Sequence, residues 1–194
     1  MDTNTLLINL YAGPGTGKSS TMAGVFSELK WRGVNCEMAP EFAKEKVWEG
    51  SLGILQNQIY VFGKQLHAIH RVMGKVDVVI TDSPLLLSLI YGKDQGDAFK
   101  NLVLDVYKRY NTLNIFLKRH KAYNPAGRLQ TEEKAKKIDQ DLLDLLSEYE
   151  LPFVTYDSGR ECINPICDRA ITIIGNDRQL YKWKDDNEGI SKYR

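Results

Sequence analysis

The run Ala12-Gly13-Pro14-Gly15-Thr16-Gly17-Lys18-Ser19 gathers small residues, one amine and one hydroxyl into a short stretch. A chain of phosphates is held by backbone N–H groups turned inward, and Gly13, Gly15 and Gly17 supply the permissive positions such a turn requires. Lys18 is then in reach of the β and γ phosphates, Ser19 carries the hydroxyl that ligates Mg²⁺, and the following helix aims its positive end at the anion. Ser20 and Thr21 are placed to touch the α phosphate. With Pro14 and Thr16 completing the loop, residues 13–20 read as a nucleotide site for ATP and Mg²⁺. A chance glycine turn is the competing explanation, and the apolar strand before the loop and the helix after it argue against that.

Phosphoryl transfer also needs carboxylates and mobile cations opposite the loop. Asp82 ends an apolar run, where it can hold Mg²⁺ or accept a proton from an attacking hydroxyl; capping a helix before Pro84 would explain it equally. Glu41 follows a strand and Pro40 and points to the same cleft, with a solvated glutamate at a helix start as the alternative. Which of the two is base and which is metal ligand stays open. Arg119 and Arg128 lie in a basic, Gly- and Pro-containing segment that reads as a closing lid over residues 118–131, where a planar guanidinium can hold two phosphate oxygens. The stretch from Gln56 to Gln65 mixes amides and aromatics. Gln58, Phe62 and Gln65 are candidate contacts to a nucleoside-like acceptor, against the alternative of ordinary core packing. Asp157-Ser158-Gly159-Arg160 is the candidate adenine end. His67 and His70 are read as surface or packing residues, and no zinc is expected.

The elements that must position these groups alternate in type. Thr5–Tyr11, Val34–Met38, Val76–Thr81, Leu113–Leu117 and Phe153–Tyr156 read as strands, and helices are expected over 18–32, from 42 to about Trp48, 52–73, 85–91, 97–110, 131–149 and 164–174. The near-continuous apolar strands suit burial on both faces, so the pattern predicts an α/β fold, a three-layer αβα sandwich around a five-stranded parallel sheet. Ligands should lie at the carboxyl ends of the strands. One domain is expected over 1–175, with a polar C-terminal tail over 176–194.

At 194 residues the chain can bury a core without metals or disulfides. Lys plus Arg (26) nearly balance Asp plus Glu (25), and a net charge of +1 implies neither a nucleic-acid coat nor a membrane surface. Cys36, Cys162 and Cys167 form an odd set without a CxxC pair, as in a reducing compartment. With no apolar run of membrane-spanning length, a cytoplasmic protein is expected, and its oligomeric state is left open, a homodimer included.

The glycine loop, Pro40-Glu41-Phe42-Ala43-Lys44, Thr81-Asp82-Ser83-Pro84 and the Arg128 segment together resemble bacteriophage-encoded P-loop kinases of the AAA_28, ribosylnicotinamide-kinase-like group. More distantly the chain is similar to thymidylate and deoxynucleoside kinases and to enzymes that phosphorylate 5-hydroxymethyluracil in DNA. The resemblance implies a P-loop NTPase fold of the nucleoside monophosphate kinase type, ATP with Mg²⁺, an alcohol or phosphate acceptor free or within DNA, and, for a phage protein, the host cytoplasm. Lys44 stands where an arginine is usual, and Ser83 follows Asp82 where many nucleoside kinases have arginine. The rival is an AAA-type phage ATPase driving a macromolecular partner, but Ser83 occupies the place of the glutamate that role usually requires. A guanine-nucleotide switch lacks its Asn-Lys-x-Asp motif.

Overall fold

The computed structural model describes residues 4–120 and 131–188, with 176–188 as backbone only. Arg128 and most of the expected lid therefore lie outside the described residues. Five strands form one parallel sheet: β1 (Leu6–Tyr11), β2 (Cys36–Ala39), β3 (Val78–Thr81), β4 (Asn111–Lys118) and β5 (Val154–Asp157), in the order β2-β3-β1-β4-β5. This is the expected α/β architecture. Every residue of β1 and of β3 is buried, because parallel strands need crossover helices and those helices cover both faces.

The alternation of side chains along β1 divides the core in two. Leu6, Ile8 and Leu10 pack with Met22, Val25 and Leu29 of α1 (Lys18–Trp31) and with Ile166, Cys167 and Ala170 of α7 (Ile163–Glu188). Leu7 and Tyr11 face the other way, toward α3 (Gln58–His70), α4 (Leu87–Tyr91), α5 (Gly96–Tyr107) and α6 (Glu132–Glu148). The short helix α2 (Phe42–Trp48) buries none of its residues. All three cysteines are buried free thiols. Among the described residues, no helix is long and apolar enough to cross a membrane.

The largest departures from the expected boundaries are in two helices, with shifts of one to three residues at the ends of most other elements. The single helix expected over 52–73 is a 3₁₀ turn, Leu52–Gln56, followed by α3. Asn57 makes the break: its side-chain oxygen accepts the Tyr60 N–H at 3.1 Å, and a capping residue of this kind adopts non-helical backbone. The last helix, expected to stop near Ile174, runs on to Glu188. A glycine such as Gly175 inside a helix costs only about 1 kcal/mol relative to alanine, too little to end one that is otherwise favoured. The helix expected over 131–149 does start there: Thr131 caps α6 by accepting the Lys134 N–H, with Glu132 and Glu133 in the first turn.

Asn57→Ala should cost about 1 kcal/mol of stability in urea denaturation. An unchanged midpoint would show that this cap does not hold the start of α3.

Candidate active site

Neighbouring parallel strands deliver chemistry to one edge of the sheet. The glycine loop follows β1, Glu41 follows β2, Asp82 follows β3 and Arg119 follows β4. Gly17 has φ of +109°, a left-handed conformation open to glycine, and turns the loop into α1. Lys18 Nζ donates to the carbonyls of Ala12 at 2.8 Å and Gly13 at 3.2 Å, and Thr16 Oγ1 donates to the Gly13 carbonyl at 3.0 Å. Burial lowers the Lys18 pKa, while the charges of Glu41, Asp82 and Asp139 oppose that shift.

Ser19 Oγ donates to Asp82 Oδ2 at 2.5 Å, and Lys44 Nζ lies 3.4 Å from the same hydroxyl. Asp82 is buried, and its Oδ1 has no hydrogen-bond partner among the described residues. It caps no helix: Ser83 N–H goes to Thr81 Oγ1 at 3.1 Å, and α4 begins at Leu87 without a side-chain cap. Glu41 stands at the N-cap position of α2 but makes no capping bond. Burial raises its pKa, opposed by Lys18 and Lys44 and assisted by Asp82, and the residue lines the cleft.

Lys18, Ser19, Glu41 and Lys44 line a cavity of about 480 Å³, together with Pro14, Gly15 and Ser20, whereas Asp82 and Arg119 do not border it. The same cavity is also lined by the apolar side chains of Val47, Trp48, Leu55, Val61, Leu87 and Tyr91. The hard oxygens of Ser19 and Asp82, one of them unpaired, suit a cation such as Mg²⁺ that keeps water and phosphate as its other ligands. Among the described residues, no three His, Cys, Asp or Glu side chains form a closed metal site.

A family model described as an AAA domain matches residues 7–161. The chain belongs to this AAA-domain family. No curated protein matches it in sequence. The crystal structure of NadR protein in complex with NR is similar with a TM-score of 0.67 and 16% identity, over 84% of this chain and 51% of that one. The chain thus spans about half the length of that NadR protein. The structure of deoxyadenosine kinase from M. mycoides with bound dATP is similar with a TM-score of 0.52 and 17% identity, over 86% of this chain and 99% of that one. At these identities the likeness is one of fold: the AAA-domain chain shares the P-loop α/β architecture of both.

The candidate acceptor residues of this AAA-domain protein separate on α3. Gln58 lines the cavity, with its amide nitrogen donating to the Leu55 carbonyl at 2.5 Å. Gln65 also borders it, but its amide is engaged: Nε2 donates to the Ala39 carbonyl at 3.3 Å and Thr81 Oγ1 at 3.2 Å, and Oε1 accepts the Phe42 N–H at 3.2 Å. Phe62 is in the core, edge-on to Phe99 at 5.7 Å, and does not line the cavity. Ser158, in the candidate adenine segment, is buried beside Gly17, and its hydroxyl has no partner among the described residues. The residue that sequence reasoning missed is Asp139 on α6, whose carboxylate binds Gly13 N–H at 2.5 Å and Arg119 at 2.9 Å.

Because folding raises the Glu41 pKa, the folded chain holds that proton more tightly than the unfolded one, and the contribution of Glu41 to stability falls as pH rises. Glu41→Gln removes this penalty. Its melting temperature should exceed that of the wild type near neutral pH, and the gap should close below the ordinary carboxylate range. A gap that widens on acidification would contradict the buried environment assigned to Glu41.

Proposed function

We propose that the protein is a small kinase that transfers the γ phosphate of ATP, with Mg²⁺, to a nucleoside-like acceptor. One observation carries this reading: the cavity lined by the phosphate loop is also lined by the large apolar side chains of Trp48, Leu55, Val61, Leu87 and Tyr91, which we read as a chamber for a second substrate. A hydrolase needs room for one water beyond the γ phosphate, whereas this chamber suits a planar second substrate. The two similar structures, one a NadR protein in complex with NR and one a deoxyadenosine kinase, support the same class.

In this reading the loop N–H groups and Lys18 hold the triphosphate, and Ser19 with Asp82 holds Mg²⁺, which supplies charge neutralisation on the phosphate oxygens when bound. Glu41, on the cavity wall, accepts a hydrogen bond from the acceptor hydroxyl and orients it for in-line attack. Arg119, and Arg128 from outside the described residues, face the charge that builds on the transferred group. Gln58, which lines the cavity, is the amide we assign to a base edge. The acceptor is a free nucleoside or nucleotide, or the hydroxymethyl group of 5-hydroxymethyluracil in DNA as the polymer-borne version. For DNA, Lys118, Arg119, His120, Lys121 and Arg128 would supply the local backbone attraction. The family description also admits an AAA-type ATPase coupled to a macromolecular partner, and dependence of turnover on an acceptor separates the two.

Labelled ATP with Mg²⁺ should transfer its γ phosphate to at least one member of a panel of nucleosides, nucleotides, ribosylnicotinamide and DNA with or without 5-hydroxymethyluracil. Free phosphate alone, released at a rate indifferent to every acceptor, would favour the ATPase. Lys18→Ala should reduce transfer by at least about 100-fold.

With the preferred acceptor, kcat/KM should fall as pH drops through the raised pKa of Glu41, because only the ionised carboxylate accepts the hydroxyl proton. Glu41→Gln should lose this acid limb along with most of the rate. Retention of the limb would assign it to another group.

A further inference from the structure

Three elements meet at the start of the phosphate loop. Helix α6 packs so closely there that a β-carbon on Gly13 would overlap the Ala135 carbonyl and crowd Asp139. The Asp139 carboxylate is divided: Oδ1 accepts the Gly13 N–H at 2.5 Å, and Oδ2 accepts Arg119 Nη2 at 2.9 Å. The other arm of the guanidinium, Nη1, donates to the Pro14 carbonyl at 3.0 Å. Arg119 Nε is buried and has no hydrogen-bond partner among the described residues.

A carboxylate at a phosphate loop is unfavourable for anion binding by itself, since it repels the phosphates it stands near. Here it is paired with a cation, and both side chains are largely covered, at 11% exposure for Arg119 and 18% for Asp139. Such a sheltered pair does little net work for stability when weighed against the cost of drying two charges. It does fix geometry. With Nη2 on Asp139 and Nη1 on Pro14, the plane of the guanidinium is set against the loop that carries Gly13 and Lys18.

We propose that Asp139 is a positioning residue for phosphoryl transfer: it holds Arg119 pre-oriented at the phosphate loop and ties the loop to α6 through Gly13. Arg119 touches the substrate phosphates, and Asp139 acts through it. The assignment rests on the reading that Arg119 faces the transferred group. A guanidinium fixed beforehand stabilises developing charge without the cost of ordering a long side chain during the reaction.

The test is a double-mutant cycle over wild type, Arg119→Ala, Asp139→Asn and the double variant. Asp139→Asn keeps an oxygen for Gly13 N–H and replaces the acceptor of Arg119 by an amide NH₂. MgATP affinity is measured by calorimetry, and the rate of γ-phosphate turnover is measured to acceptor or to water, whichever the wild type supports. Asp139→Asn should slow turnover by about 10- to 100-fold and change MgATP affinity by less than about threefold. The double variant should be no more than about twofold slower than Arg119→Ala alone, because the two residues act as a unit.

A wild-type rate in Asp139→Asn, or losses that multiply in the double variant, would overturn the proposal. So would an Asp139→Asn chain whose near-UV circular dichroism and melting temperature collapse, since the pair would then be holding the fold. Affinity and turnover to water need no acceptor. A protein that shows the expected coupling but labels no acceptor keeps Asp139 as the positioning residue and loses the kinase reading.

Discussion

The partial dehydration of Lys18 is the constraint around which the charged groups of the site are arranged. An ammonium taken from water is stabilised only by nearby negative charge or hydrogen bonds. Lys18 has both: the Ala12 and Gly13 carbonyls accept from it, and Glu41, Asp82 and Asp139 surround it. Those carboxylates arrive from three separate places, the ends of β2 and β3 and the body of α6. They can converge because the strands are parallel, which sets their carboxyl ends along one edge of the sheet. The order β2-β3-β1-β4 then places a glutamate, an aspartate, the phosphate loop and an arginine side by side.

Holding several like charges at one edge needs rigid backing, and much of it is polar. Gln65 joins the ends of β2 and β3 to the start of α2 through Ala39, Thr81 and Phe42. Thr81 itself donates to the Ala39 carbonyl at 2.8 Å. A fully engaged buried amide stiffens a site, whereas a half-engaged one would weaken it. Gln65 therefore fixes how far Glu41 and Asp82 stand from the loop, although its position on the cavity wall also suits a substrate contact.

What the sequence showed plainly was what local chemistry demands. Anion binding by backbone N–H groups imposes its own short pattern, so residues 12–19 could be read without the fold. Strands buried on both faces must be apolar without interruption, so Leu6–Tyr11 and Val78–Thr81 stood out, and Asp82 followed from where the apolar run ended. The phase of α3 was harder. Asn57 restarts the helix, and that restart decides that Gln58 lines the cavity while Phe62, one turn on, enters the core. Asp139 was hidden more deeply. It sits among acidic and basic residues on an amphipathic helix, where a solvated face is the ordinary expectation, and only the fold brings it to Gly13, 126 positions away. A partner at that separation leaves no mark in local spacing.

The two halves of the cavity differ in how they are built, and the difference bears on function. The phosphate half stands on sheet ends and on α1, among the most buried residues of the chain. The half assigned to the proposed acceptor is formed partly by α2 and the 3₁₀ turn, neither of which buries a residue, and Trp48 on its wall is 70% exposed. Elements with few buried contacts are the least costly to displace. A triphosphate is the same in every turnover and is best met by a fixed cradle, while an acceptor must enter, be enclosed and leave as product. Rigidity where the ligand is constant and thin packing where it is exchanged fit transfer between two bound substrates better than attack by water.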